Sequence, residues 1–325
     1  MSLRCSAARS LPALGLVLLL AVLPFILPGP FYIAIAHQIL IYALLALSLD
    51  ILVGHGGMIS LAQAAFLGVP AYVYVGLSAR AGLSPLPAAL SALAAGTALA
   101  GLFGVLALRA RGLGFLMITL ALGQVVWGLA YRWVDLTGGD NGMRLSARPR
   151  PFGLDLGRPI PFYYFVSVIF LAALFFLRRF ARSAFGASLR GTRDQPRRMA
   201  MLGHHVFRIR WLAFIYSGFL GSIAGVLFAL SFRFISPQTM TLQQAAEVLL
   251  MVILGGPGTL AGPLIGAVII TLVKTVVSSY VARWYTVLGL IFIGVELFLP
   301  EGLVPGFARL RRRLGAALLA RRRPA

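Results

Sequence analysis

Between residues 11 and 300 the chain returns repeatedly to apolar runs of about 17 to 25 residues, the length a helix needs to cross the hydrocarbon of a bilayer. Candidate spans fall near 11–28, 31–53, 58–78, 86–108, 113–131, 161–178, 210–232, 242–256, 260–280 and 284–300. Charged residues are only 11% of the 325, and hydrophobic ones 60%. A soluble domain carries roughly a quarter charged residues. A chain this poor in charge cannot cover a surface facing water, so its solvent is lipid. The expected fold is all-α: a polytopic helical membrane protein of about ten transmembrane helices, some interrupted by glycine.

The net charge of +21 does not point to nucleic acid, because the arginines sit in short stretches beside apolar spans: Arg178 to Arg210, Arg309 to Arg313 and Arg321 to Arg323. That placement suits flanks facing anionic lipid. Ten spans put both termini on one side. If that side is the cytoplasm, Arg109 and Arg111, the Arg-rich loop 179–209 and the basic tail 307–325 all lie inside. The loop 132–160, with Asp135, Asp140 and Asp155 beside several arginines, then lies outside in the periplasm. Residues 1–306 read as one transmembrane domain. The first apolar run ends in Pro28-Gly29-Pro30 without a small-x-small cleavage site, so it is expected to be retained as a span. A lone cysteine, Cys5, allows neither an internal disulfide nor a cysteine metal site.

Glycines mark three places where helices break. One is "VGHGGMISLAQAAFLGVPAY", where Gly56 and Gly57 precede Ser60 and Gln63. A second is "LGGPGTLAGPLIGA", with Gly255, Gly256 and Gly258; the third is the turn "LTGGDNGM", with Gly138, Gly139 and Asp140. Backbone freed by a break must be buried in protein or line a watery cavity, since lipid cannot bond it. Gly56, Gly57, Ser60, Gln63, Gly255, Gly256 and Gly258 are therefore candidates for a translocation path. The alternative for each glycine is close helix packing.

Enzyme chemistry finds no foothold. The histidines have no carboxylate at metal-ligand spacing, and there is no G-x-S-x-G or H-E-x-x-H. No metal site and no cofactor bound by this chain are expected. Lys274 is the only lysine and sits in "IITLVKTVV", so the chain cannot carry a P-loop; an ATP motor, with its Mg, would belong to another subunit. Asp50, Glu247 and Glu296 lie within or beside spans, where an acid is either functional or held by a partner.

Taken together, "DILVGHGGMISLAQAAFLGVPAY", "GLGFLMITLALGQVVWGLAYRWVDLTGGDNGM", the loop 186–206, "EVLLMVILGGPGTLAGPLIGA" and "LPEGLVPG" resemble the permease subunits of branched-chain amino acid ABC importers, LivM type. The resemblance implies a homologous second permease, two ATPase subunits, a periplasmic or extracellular solute-binding protein and a bacterial inner-membrane location. It also implies that a short helix in the long loop fits a cleft in the ATPase. Asp194 is expected to cap that helix, with Pro196 in its first turn and Met199, Leu202 and Val206 on an apolar face. Arg193, Arg197 and Arg198 would form its polar face, and Gly203 its end. Two features depart from the family pattern: Ala62-Gln63 stand where glycine and histidine are common, and Asp194 is the only acid of the coupling stretch. The leading expectation is an uptake permease for branched-chain or related amino acids. Urea, short amides or aromatic acids could be carried on the same scaffold. The runner-up is a secondary carrier with Glu247 or Asp50 as its ion-coupling group.

Overall fold

A computed structural model describes Gly15, residues 17–26, 29–145 and 157–280, and scattered positions beyond (286–287, 289–290, 293–294, 297, 302–306 and 309). The elements run α1 (Val17–Ile26), α2 (Pro30–Asp50), α3 (Gln63–Ala79), α4 (Pro85–Ala107), α5 (Leu113–Arg132), α6 (Val134–Thr137) and β1 (Met143–Arg144). There follow α7 (Pro159–Arg182), α8 (Ala184–Asp194), α9 (Pro196–Met201), α10 (Val206–Phe232), β2 (Phe234–Ile235), α11 (Leu242–Gly255) and α12 (Gly262–Tyr280). α2 continues without interruption into a π-helical turn, Ile51–His55. Proline occupies the first turn of α2, α4, α7 and α9, where its missing N–H has no helical partner to lose and its fixed φ suits the helix.

Among the described residues five helices are long and apolar enough to cross a membrane: α2 with its π-turn, α4, α5, α7 and α10. Val17–Ile26, α3, α11 and Gly262–Val277 of α12 are shorter apolar helices. The expected count of ten is not confirmed: five described helices reach spanning length and four apolar ones are shorter, while the tenth run, 284–300, lies mostly outside the described residues, as do Glu296 and most of the tail 307–325. α2 and α10 form the centre, with 72% of the most apolar window of each buried. α5, at 22%, and α4, at 28%, offer most of their apolar surface to the surroundings. α10 packs on α4, α3 and α2; α11 and α12 form a hairpin laid against α2; α7 covers another side of α2. Tyr163 and Tyr164 of α7 donate to the carbonyls of Leu20 and Ala21, tying α1 to the bundle.

Small residues bring the central helices close, as membrane helices without a hydrophobic drive between them require. A Cβ at Gly218 of α10 would collide with Ala100 of α4, and one at Gly96 would collide with Ser222 and Pro70.

Three expectations need correction. The span 58–78 begins later: α3 starts at Gln63, and the residues before it form a non-helical segment that buries Met58, Ser60 and Ala62 and exposes Gly57 and Ile59. Gly56 N–H bonds the Ile51 carbonyl, Met58 N–H the Leu52 carbonyl, Leu61 N–H the Thr119 hydroxyl and Ala62 N–H the Ser60 hydroxyl. Those bonds serve backbone N–H groups that lipid could not serve. The loop 179–209 is mostly helical, filled by the end of α7, by α8 and α9, and by the start of α10. Finally, the fold is helical as expected but for one short ladder. Met143 pairs with Ile235 and Arg144 with Phe234 in a two-residue antiparallel ladder, which pairs the backbone of two segments that no helix serves.

The bundle thus has two ends. The loop end gathers the π-turn, α8, α9 and the α11–α12 connection. The strand end gathers α6, β1 and β2.

Candidate functional site

At the loop end the two glycine breaks that stand apart in the sequence form one junction. The Asp50 carboxylate, 1% exposed on the last turn of α2, accepts a hydrogen bond from Gly258 N–H at 2.7 Å. Gly54 lies so close to Gly258 that a Cβ at Gly54 would overlap both the Gly258 backbone and the Asp50 carboxylate. Gly258 holds φ +80 and Gly256 φ +105, conformations that side-chain-bearing residues rarely adopt. Thr259 accepts from Gly262 N–H and so starts α12. Gly255 packs on Gly262, and Gly256 on Gly302.

Arg193, near the end of α8, reaches into this junction. Its Nη1 donates to the carbonyl of Gly54, and its stem lies over Gly57, where an added Cβ would stand 2.7 Å from Arg193 Cγ. The same chemistry recurs nearby. Arg190 Nη1 donates to the Ala181 carbonyl in the last turn of α7, and Arg210 Nη2 to the Thr192 carbonyl in the last turn of α8. Each arginine binds carbonyls that a helix leaves without an internal donor.

α8 itself is capped by the Ser183 hydroxyl, which accepts from Gly186 N–H, and it buries Gly186, Leu189 and Thr192 at every third residue. It stops because Pro196 forces Gln195 out of the helical region, to φ −143° and ψ 79°. Asp194 is therefore the last residue of α8 and not the cap of α9; Gln195 holds the cap position without a side-chain bond. Met199 turns toward Gly191 on the neighbouring helix, while Met201 and Leu202 are 88% and 67% exposed. The expected apolar face of Met199, Leu202 and Val206 is thus divided, and the outward pair is Met201 and Leu202. Arg197 and Arg198 are exposed. Gly203, at φ +85, ends the turn, with its N–H on the Ala200 carbonyl and that of His204 on the Met199 carbonyl. Beside this elbow, a cleft of 370 Å³ opens between Gly57–Ile59, Leu108–Leu116, Pro196 and Arg210.

Deeper in the bundle, Gln63 is fully buried at the start of α3. Its Nε2 donates to the Ser217 hydroxyl at 2.8 Å, its Oε1 accepts from Ser48, and Ser217 donates to the Ser48 carbonyl at 2.6 Å. This closed set ties α2, α3 and α10 together. Ser60 is buried as well, its hydroxyl turned back on Ala62 N–H. Of the residues proposed for a path, the structure brings Gly57 and Gly258 together around Arg193 and Gly54, and it places Gln63 and Ser60 in internal bonds. Glu247, 3% exposed, is ion-paired with Lys274 at 2.8 Å between α11 and α12. His37 bonds Ser231 at 2.9 Å, helix to helix.

Gly138, Gly139 and Asp140 lie at the opposite end. Gly138 and Gly139 hold φ +75 and +57, and the Thr137 hydroxyl donates to the carbonyls of Ala130 and Trp133 while accepting from Gly139 N–H. Asp140 is exposed. Among the described residues no three His, Cys, Asp or Glu side chains gather as a metal-binding set.

The sequence missed the parts played by Gly54, Asp50 and Arg193. Two glycine clusters with an acid beside one and arginines between them were visible signals, but their meeting spans 208 residues.

Comparison with known proteins follows the same lines. The family described as "Branched-chain amino acid transport system / permease component" matches residues 31–296. The high-affinity branched-chain amino acid transport permease LivM of Salmonella typhimurium is 28% identical over 320 residues, covering 88% of this chain and 74% of that protein. LivM of Escherichia coli gives the same identity and coverage over 319 residues. The autoinducer 2 import permease LsrC of Klebsiella pneumoniae is 30% identical over 67% of this chain and 64% of its own length. No solved structure matches the chain.

Proposed function

The chain belongs to the family of permease components of branched-chain amino acid transport systems, and from that membership we propose that it is the membrane-spanning subunit of an ATP-driven importer. It would take up branched-chain or related amino acids across a bacterial inner membrane, with the loop end facing the cytoplasm. It would work with a homologous second permease, two ATPase subunits that bind ATP and Mg, and a solute-binding protein. The observation that carries this reading is the α8–α9 elbow: it presents Met201 and Leu202 outward while its Arg193 grips the glycine junction of the bundle. An exposed apolar tip on a basic loop suits burial in a partner's cleft. The path would run beside the paired breaks, where Gly54, Gly57 and Gly258 leave backbone unshielded by side chains.

Both acids considered for an ion-coupling role are engaged, Asp50 with Gly258 N–H and Glu247 with Lys274. The relatives' names differ in cargo, branched-chain amino acids for LivM and autoinducer 2 for LsrC, so the substrate is set on a shared scaffold.

The assembled system in proteoliposomes separates the readings. Uptake should persist in the presence of an uncoupler and stop when the phosphate-binding lysine of the ATPase is replaced. Uptake abolished by the uncoupler at constant ATP would overturn the importer. Calorimetry of branched-chain amino acids, urea and short amides with the cognate binding protein decides the cargo.

A further inference from the structure

We propose that Arg193 is a positioning residue that carries movement of the α8–α9 elbow into the paired glycine junction, and so couples the partner ATPases to the transport path. The inference rests on the importer reading above. Three segments far apart in the sequence meet around this side chain: α8 supplies it, Gly54 and Gly57 receive it, and Gly258 lies against Gly54 and donates its N–H to Asp50. A push on α8 therefore reaches α2 directly and the α11–α12 connection one contact later.

The elements on either side suit transmission. α8 is stiff where it meets the bundle: Leu189 and Thr192 are fully buried, Arg190 ties its middle to α7, and Arg210 ties its end to α10. The receiving element is the π-turn Ile51–His55, a local widening that can relax to α-helix by a one-residue change of register. Such a turn provides two discrete arrangements, which is what a coupling route needs. Arg193 bonds the Gly54 carbonyl within that turn, so moving the guanidinium changes which arrangement is favoured. The grip is also reversible. The Arg193 side chain remains 48% exposed and has the Asp194 carboxylate 3.9 Å from its Nε as a second, weaker partner.

The test uses the complete importer in proteoliposomes, with both permeases, both ATPases and loaded binding protein. Three quantities are read: ATPase retained on purification, ATP hydrolysed, and substrate taken up per ATP. For Arg193→Ala the ATPases should remain bound and hydrolysis continue, while uptake per ATP falls on the order of tenfold. Arg193→Lys should recover part of the loss, because an ammonium can still donate to the Gly54 carbonyl. Gly57→Ala, which crowds the Arg193 stem, leaves its charge in place and must itself hold φ +65, should lower uptake per ATP in the same way. A purely structural cap would lower the amount of folded complex and leave uptake per ATP unchanged. Unchanged uptake per ATP in Arg193→Ala overturns the proposal, and so does loss of the ATPases, which would make Arg193 a docking contact. Should Arg193→Ala fail to fold, Gly57→Ala decides by the same ratio. Uptake by the unaltered complex without ATP would instead sink the importer reading before any variant is compared.

Discussion

The loop end and the strand end of the bundle both join distant segments through glycines, but with different bonds. At the strand end β1 and β2 meet backbone to backbone, and Gly142 packs against the Ile235 carbonyl. At the loop end the joining bonds come from side chains: Asp50 to Gly258 N–H, and Arg193 to the Gly54 carbonyl. A backbone ladder closed within the chain has few ways to respond to a partner. A side chain rooted in a half-exposed helix can be moved by whatever binds that helix. The strand end is therefore built as a clasp and the loop end as a linkage.

Matched glycine substitutions put the largest strain on this contrast. Gly54→Ala introduces no backbone strain, since the site is helical, but its Cβ would overlap Gly258 and Asp50. Gly142→Ala would meet the Ile235 carbonyl and must also hold φ +66. Each should destabilise the protein by about 1–3 kcal/mol through overpacking, read as thermal unfolding in detergent. Only Gly54→Ala should also abolish ATP-driven uptake per folded molecule. Equal loss of uptake from both would erase the distinction between the ends.

A stability effect of similar size, without the predicted loss of uptake, tests the side-chain bond at the linkage. Asp50→Ala leaves Gly258 N–H without its acceptor and should cost about 1–3 kcal/mol. Asp50→Asn retains an oxygen that can accept the same bond, so its stability should stay near that of the unaltered protein. If the two variants unfold alike, it is the negative charge and not the hydrogen bond that matters.

What could be read in advance follows from the range of each interaction. Spans were legible because length and apolarity are local, and most boundaries fall within a few residues of those expected, as with 86–108 against Pro85–Ala107. Turns such as Gly138–Asp140 were legible for the same reason. The sequence also showed that an acid inside a span would be functional or held by a partner, and Glu247 is held by Lys274. Which partners they find was hidden, because Gln63 closes with Ser217 across 154 residues. The arginines of the loop were legible as charge but not as caps, since each serves a helix other than its own. The expectation for Asp194 failed because a stronger local signal preceded it: Ser183 starts a helix that runs until Pro196 stops it.

The smallest stability change carries the sharpest functional contrast. Met201 and Leu202 are 88% and 67% exposed, so replacing both with aspartate removes little packing. Surface changes of this kind usually stay within about 0.5 kcal/mol. Met199→Asp differs, because Met199 packs on Gly191 where α9 meets α8, and its loss should loosen the elbow itself. If the elbow tip is what the ATPase holds, Met201→Asp with Leu202→Asp should leave the unfolding temperature unchanged, yet the ATPase subunits should no longer co-purify. Arg193→Ala should do the reverse, keeping the subunits and losing uptake per ATP. Docking and transmission would then lie on the two arms of one elbow, with the apolar tip of α9 gripping the motor and the α8 guanidinium gripping the path. A tip variant that retains its ATPases with full uptake would remove the outer half of that linkage and leave α9 a connector between α8 and α10.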